Sequence, residues 1–306
     1  MEKSLIVNSS PHIRGKSSTN NIMLDVCIAL VPTLIASVLH FGARSLLLSL
    51  VCVVSCIAFE YTYRKLLKLS FTINDMSAAV TGVILALNLP SSLPLWMAVI
   101  AAFVAIVIVK QLFGGLGKNF ANPAIVGRIV IFISFAASMT NWGEESASGA
   151  AVDAVASATP LGGAVGISYL DMFLGNIGGS MGETCKLTLL IGGIYLVIKK
   201  VITATTPIAF MGTVFVFSFL LGQDPIFHLL SGGLFLGAIF MATDYVTSPV
   251  TERGKLIFGI GCGVITVIIR VFSYYPEGVS FALLLMNIIS PHIDRLCTSK
   301  PFGGVA

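Results

Sequence analysis

The sequence is short of charge. Only 10% of its 306 residues are Asp, Glu, Lys or Arg, whereas 56% are hydrophobic and the mean hydropathy is +0.96. An average soluble domain is about 25% charged. So few charges cannot cover the surface of a water-soluble globule of this size, and the composition predicts an integral membrane protein. It excludes a secreted disulfide scaffold, a nucleic-acid-binding protein and a disordered tail.

Metal and nucleotide motifs are lacking as well. The six cysteines form no C-x-x-C pair and four of them lie in apolar runs, which argues against disulfides and against a metal or iron–sulfur site built by this chain alone. The segment 112–119 is no phosphate-binding P-loop, because Leu112 replaces its first glycine and Asn119 its Ser or Thr. We therefore expect neither a metal site nor a complete catalytic site in the chain itself.

Apolar runs that could cross about 30 Å of hydrocarbon occur about ten times. The predicted spans are 22–41, 45–63, 77–89, 94–112, 123–138, 187–201, 205–221, 226–242, 256–272 and 279–293. With the N-terminus placed inside, 15 of the 18 Lys and Arg residues fall on the inner side, and only Arg44, Lys186 and Arg270 fall outside. This asymmetry predicts that both termini are cytoplasmic.

The longest polar connection, roughly 139–186, lies between the fifth and sixth predicted spans, on the outer face. It separates 1–138 from 187–306, and each part holds five spans. An odd number of spans makes the second part enter the membrane the other way up, so the sequence predicts an all-α fold of two inverted five-helix repeats. The third helix of each part ends in a polar break followed by proline, at 88–90 and at 244–249.

Polar residues are expensive within lipid and are therefore informative. Those at predicted helix ends or breaks are Asp75, Asn88, Asn119, Asn122, Asp244, Glu277 and Asn287. Each one has an ordinary interpretation as a helix cap. Their clustering at breaks in both halves favours a ligand or ion site for some of them.

The outer connection contains a run of small residues, 153–158, that ends at Thr159-Pro160. Small side chains let a bulky group approach the backbone, and a threonine hydroxyl can form an ester. From the residues alone, an ordinary exposed loop is the simpler interpretation.

Five segments resemble a known family. They are 10–14 (SPHIR), 22–26 (IMLDV), 114–124 (GGLGKNFANPA), 240–249 (FMATDYVTSP) and 275–279 (YPEGV). Together they resemble the family of the D subunit of the Rnf complex, a membrane-bound ion-translocating ferredoxin:NAD oxidoreductase. That family is related to the B subunit of the sodium-pumping NADH:quinone oxidoreductase.

The resemblance implies a covalent flavin. In this family, an auxiliary flavin transferase joins FMN to the threonine of an S-G-A-T-type motif through a phosphoester bond. The matching residue is Thr159, and Ser157 of the same motif is expected to bind the cofactor with it. The motif departs from the family at its start, where Ala156 replaces the usual Ser and Ser157 the usual Gly.

The resemblance also implies a second, non-covalent flavin, a riboflavin near the inner face, in contact with Thr81, Asn119 and Asn122. The chain would then be an electron-transfer subunit of a redox-driven translocase in the bacterial inner membrane. Its partners would be the other subunits of the complex, one of which also carries FMN, and the ion would be Na⁺ or H⁺. Asp244 and Glu277 are candidates for the ion path.

Two other functions remain open. Inverted five-helix repeats with broken helices also build secondary transporters and channels for small solutes. The chain could also be an inert scaffold for other subunits. Neither function requires a flavin on Thr159.

Overall fold

The computed structural model describes residues 18–70, 72–140, 161, 168–175, 177–183, 185–273 and 278–297. All regular secondary structure in these ranges is helical, as the sequence predicts. Ser157, Thr159 and Glu277 lie outside the described residues.

Before residue 140 the helices are α1 (Thr19–Phe41), α2 (Ala43–Leu66), α3 (Ser77–Leu87), α4 (Leu95–Phe103), α5 (Pro123–Ser134) and α6 (Ala136–Met139), with a 3₁₀ turn at Ile73–Asp75. After residue 168 they are α7 (Tyr169–Leu174), α8 (Lys186–Ile198), α9 (Thr205–Leu220), α10 (Pro225–Leu230), α11 (Leu234–Leu236), α12 (Glu252–Phe272) and α13 (Val279–Cys297). α4 continues as a π-helical segment, Val104–Gln111, and α11 as another, Gly237–Met241.

Three of the described helices, α1, α2 and α12, are long and apolar enough to cross a membrane by themselves. The shorter apolar helices, of 10–17 residues, are α3, α4 with its π segment, α5, α8 and α9. The structure thus fits a helical membrane protein in which several of the predicted spans are short.

The eighth predicted span, 226–242, is wrong as a single helix, because it is divided into α10, α11 and a π segment. Gly232 has a φ of +63°, a left-handed conformation that favours glycine and interrupts the helix. The Arg270 guanidinium then donates to the carbonyls of His228 and Ser231, at 2.5 and 2.9 Å, which the broken helix leaves free. The fifth predicted span also ends early, at Ser134.

Several of the helix pairs that pack together meet at a glycine. α1 packs against α8, α2 against α3 and α4, α9 and α13 against α12, and α5 against α13. A Cβ added at Gly82 would lie 2.7 Å from the Cα of Val53, and one at Gly259 would lie 2.8 Å from the Cβ of Ala209. Small residues therefore set the distance between these helices.

Three cations that the sequence analysis used to orient the chain are buried. Lys110 and Arg128, assigned to the inner side, are 2% and 3% exposed, and Lys186, assigned to the outer side, is 0% exposed. Lys110 and Arg128 lie within helical segments, and Lys186 is the first residue of α8. Asn287 was misplaced at a helix end: it lies inside α13, buried, with no hydrogen bond from its amide to the described residues.

Candidate functional site

A large cleft opens between the helices that precede residue 140 and those that follow residue 185. Its walls come from α1, α3, the 104–111 π segment, the loop before α5, the end of α8, and the 237–241 π segment with the residues after it. It encloses about 790 Å³ of empty space, including the part that is open to the surface.

The three residues assigned to the second flavin by resemblance, Thr81, Asn119 and Asn122, all line this cleft. Thr81 lies on α3, and its hydroxyl donates to the carbonyl of Ser77 at 2.9 Å. Asn122 caps α5, since its Oδ1 accepts from the backbone N–H of Ala124 at 3.0 Å. The capping interpretation is therefore correct for Asn122, and the same residue still faces the cleft.

Each asparagine keeps one free amide atom. Asn119 donates through Nδ2 to the carbonyl of Ala121 at 3.0 Å, and within the described residues its Oδ1 has no partner. Asn122 uses only its Oδ1, so in the same part of the chain its Nδ2 has none. The cleft thus offers one amide acceptor and one amide donor, which suits a ligand edge that bears both an N–H and a carbonyl group.

The loop that carries these asparagines depends on glycine. Gly114, Gly115 and Gly117 have φ values of +111°, +92° and +88°. A Cβ at Gly115 would lie 2.7 Å from Nη2 of Arg64, so this loop rests directly on α2. The glycine-rich string that carries the family resemblance therefore shapes the wall of the cleft.

Asp244, predicted for the ion path, lies in the same cleft, in the connection between the 237–241 π segment and α12. It accepts from the hydroxyl of Thr247 at 3.1 Å and from the backbone N–H of Val246 at 3.3 Å. Burial raises the pKa of its carboxyl above the ordinary value, although both hydrogen bonds oppose this shift. The structure thus brings Asp244 together with the predicted flavin contacts.

The sequence analysis missed a buried ion pair beside the cleft. Lys110 lines the cleft, and its Nζ lies 2.7 Å from Oε2 of Glu60, which is 0% exposed. Thr72 donates to the other carboxylate oxygen of Glu60 at 2.8 Å. Two charges of opposite sign inside apolar runs were the available signal, since such charges are rare in lipid unless they are paired.

A second, smaller cavity is lined by Arg128, Glu183, Arg270 and Leu161, among others. Arg128 Nη2 lies 3.1 Å from Oε1 of Glu183. Leu161, which follows Thr159 by two positions in the sequence, lines this cavity.

Comparison with known proteins shows the family of the chain. The model of the NQR2, RnfD, RnfE family matches residues 6–303. The chain belongs to this family. It is 48% identical, over 99% of its length and 96% of the relative, to the D subunit of the Na⁺-translocating ferredoxin:NAD⁺ oxidoreductase complex of Acetobacterium woodii.

Two other relatives carry similar names. The chain is 41% identical to the D subunit of the proton-translocating ferredoxin:NAD⁺ oxidoreductase complex of Clostridium ljungdahlii, over 97% of this chain and 96% of the relative. It is 35% identical to the D subunit of the ion-translocating oxidoreductase complex of Escherichia coli, over 97% of this chain and 98% of the relative. The resemblance read from the five segments is confirmed.

Proposed function

We propose that the chain is the electron-transfer D subunit of an ion-translocating ferredoxin:NAD oxidoreductase complex in the bacterial inner membrane. The similarity to the Acetobacterium woodii protein, 48% identity over 99% of the chain, carries this proposal. The other membrane and peripheral subunits of that complex would be its partners. The relatives at 48% and 41% identity are named for different ions, Na⁺ and H⁺, and both ions stay open for this chain.

The body of the protein consists, in this proposal, of two inverted five-helix repeats, 1–138 and 187–306, joined by the outer connection 139–186. The packing supports it. α1 and α8, at the first predicted spans of the two parts, contact each other, as do α5 and α13, at the fifth predicted spans. With five spans in each part, both termini would be cytoplasmic.

Thr159 would carry FMN through a phosphoester bond made by a flavin transferase. Support comes from membership of the family and from the match of Thr159 to the threonine of the family's attachment motif. Ser157 lies two positions before Thr159 in this motif. Bound there, the flavin would exchange electrons with the partner protein of the complex that also carries FMN. The chain supplies a threonine hydroxyl between small residues and an anchor for the connection, Leu161, beside Arg270.

The cleft would hold the second flavin, a riboflavin. Its apolar walls suit the ring system, and the two free amide atoms suit the pyrimidine edge. The amide oxygen of Asn119 would accept from a ligand N–H, and the amide nitrogen of Asn122 would donate to a ligand carbonyl. The apolar side chains of α1 and α3 would exclude water from the ring.

Ion movement must be coupled to these redox steps. Moving one charge across 100 mV requires about 2.3 kcal/mol. Asp244, which lines the cleft, and Glu277 are our candidates for the ion path. A carboxylate in the wall of the cleft would respond to a change in the charge of a flavin bound there. This response would link the redox step to ion movement.

Thr159→Ala is expected to abolish covalent flavin. The substitution removes the hydroxyl that forms the ester, so the flavin fluorescence of the band in a denaturing gel should vanish. The protein is produced together with the flavin transferase and viewed under ultraviolet light. Thr140→Ala is the matched control, because it removes an exposed threonine hydroxyl outside the motif and should leave the band fluorescent. A dark wild-type band would contradict the redox function and favour a solute transporter.

Asn122→Ser is expected to lower the affinity for the non-covalent flavin by up to about tenfold, since one hydrogen bond contributes about 0.5–1.5 kcal/mol. Serine keeps the cap of α5 and removes the amide N–H. Flavin released by acid from purified, denatured complex and separated by chromatography measures the occupancy. Asn20→Ser, at an exposed position on α1, should retain the full amount. Equal occupancy in both variants over a range of added riboflavin would contradict this contact.

A further inference from the structure

Lys110 is an unusual residue for its position. It lies in the π segment Val104–Gln111, is 2% exposed, and still lines the cleft proposed for the second flavin. A π-helical turn widens the helix by one residue and often marks a functional site. Here it places an ammonium group at the wall of an otherwise largely apolar cleft.

The hydrogen bonds of this ammonium group leave room for a ligand. Nζ has three N–H donors. Within the described residues it meets two acceptors, Oε2 of Glu60 at 2.7 Å and Oγ of Ser77 at 2.6 Å. One donor therefore remains, at a residue whose side chain lines the cleft.

Glu60 is held by other groups as well. Its Oε1 accepts from Thr72 at 2.8 Å and lies 3.8 Å from Nε of Arg64. Ser77 in turn donates to Oδ1 of Asp75 at 2.5 Å. The partners of Lys110 are thus fixed by the 3₁₀ turn and by α2, so that the ammonium group cannot easily turn away from the cleft.

We propose that Lys110 presents a fixed positive charge to the flavin in the cleft and stabilises the reduced ring as an anion, with Glu60 as the positioning residue. The inference rests on the proposed second flavin. On reduction, the ring gains two electrons from a neighbouring redox group of the complex and one proton from water, which adds at N5. The reduced ring would keep a negative charge shared by N1 and the C2 carbonyl oxygen, and one of these two atoms would accept a hydrogen bond from the free N–H of Lys110.

The test is a redox titration of the non-covalent flavin in the intact complex made with Thr159→Ala, so that the covalent flavin of this chain does not contribute. At the wild-type midpoint potential, Lys110→Met should lower the ratio of reduced to oxidised flavin at least tenfold. This corresponds to a midpoint potential about 30 mV lower for a two-electron couple. Lys110→Arg keeps the charge and should restore most of the ratio. Glu60→Gln removes the counter-charge and should shift the midpoint in the opposite direction.

The pH dependence gives a second measurement. If Lys110 stabilises an anion, wild-type flavin takes up one proton for two electrons. Without the cation, the flavin in Lys110→Met should take up two protons for two electrons. The slope of its midpoint potential against pH should therefore double between pH 6 and 8. Because Lys110→Met leaves Glu60 buried without its lysine, Lys110→Met/Glu60→Gln provides a variant with neither charge, whose midpoint should fall between those of the single variants.

The outcomes separate this inference from the proposal on which it rests. An unchanged midpoint and slope in Lys110→Met, with flavin still bound, would overturn the role of Lys110 and leave the second flavin in place. A shift of Glu60→Gln in the same direction as Lys110→Met would overturn the electrostatic explanation. Wild-type complex that releases no non-covalent flavin would overturn both.

Discussion

Arg128→Leu is expected to destabilise the protein by about 3–5 kcal/mol, because it removes the cation that lies directly against the buried carboxylate of Glu183. Arg128 and Glu183 are 3% and 3% exposed and lie 3.1 Å apart. The same guanidinium donates through Nη1 to Oδ1 of Asn88 at 3.0 Å and to Oγ of Ser280 at 3.2 Å. One side chain thus ties α5 to the end of α3, to the segment before α8 and to α13.

The measurement is denaturant unfolding in detergent, followed with a thiol-reactive dye. It suits this chain because four of the six cysteines are buried: Cys52, Cys56, Cys185 and Cys262. Arg128→Lys should give an intermediate loss, since an ammonium group lacks the planar fork that reaches several acceptors at once. Arg128→Leu/Glu183→Gln should recover most of the loss, as in a double-mutant cycle. A loss below about 1 kcal/mol for Arg128→Leu would contradict the structural role of the pair.

Gly192→Ala is expected to cost about 1–3 kcal/mol and to disturb the cleft, because α8 lies directly against α1 at this residue. A Cβ there would overlap the carbonyl oxygen of Ala29 and lie 3.1 Å from the carbonyl carbon of that residue. Backbone atoms cannot turn aside as a flexible side chain can, so the two helices would have to separate. Both helices line the cleft, and its flavin occupancy should therefore fall together with stability.

Gly212→Ala is the matched control for this prediction. Gly212 also lies within a helix, α9, but a Cβ added there meets nothing within 4 Å. Alanine has the higher helix propensity, by about 1 kcal/mol, so this variant should be neutral or more stable. The same thiol-dye unfolding and flavin release apply to both variants. Equal effects of the two substitutions would contradict close packing of α8 on α1.

Local sequence signals proved accurate at several elements. Asn122-Pro123 predicts the start of a helix, because asparagine caps and proline fits the first turn, and α5 begins there. The polar break before Pro90 likewise ends α3 at Leu87, with Asn88 as its cap. These features depend on residues a few positions apart. The division of the span 226–242 did not follow from its hydropathy, which does not register the turn at Gly232.

Composition and the five family-like segments alone determined that the chain is a helical membrane protein of the NQR2, RnfD, RnfE family. Hydropathy is a sum over residues, and each segment is recognised from consecutive residues, so neither depends on how the helices pack. Only the tertiary structure decided that Lys110 pairs with Glu60 and Arg128 with Glu183. It also decided that Asp244 shares a cleft with Asn119. The members of each set are at least 50 positions apart in the sequence. Their contact depends on how the helices pack, and a hydrophobic pattern along one chain does not encode which buried charges meet.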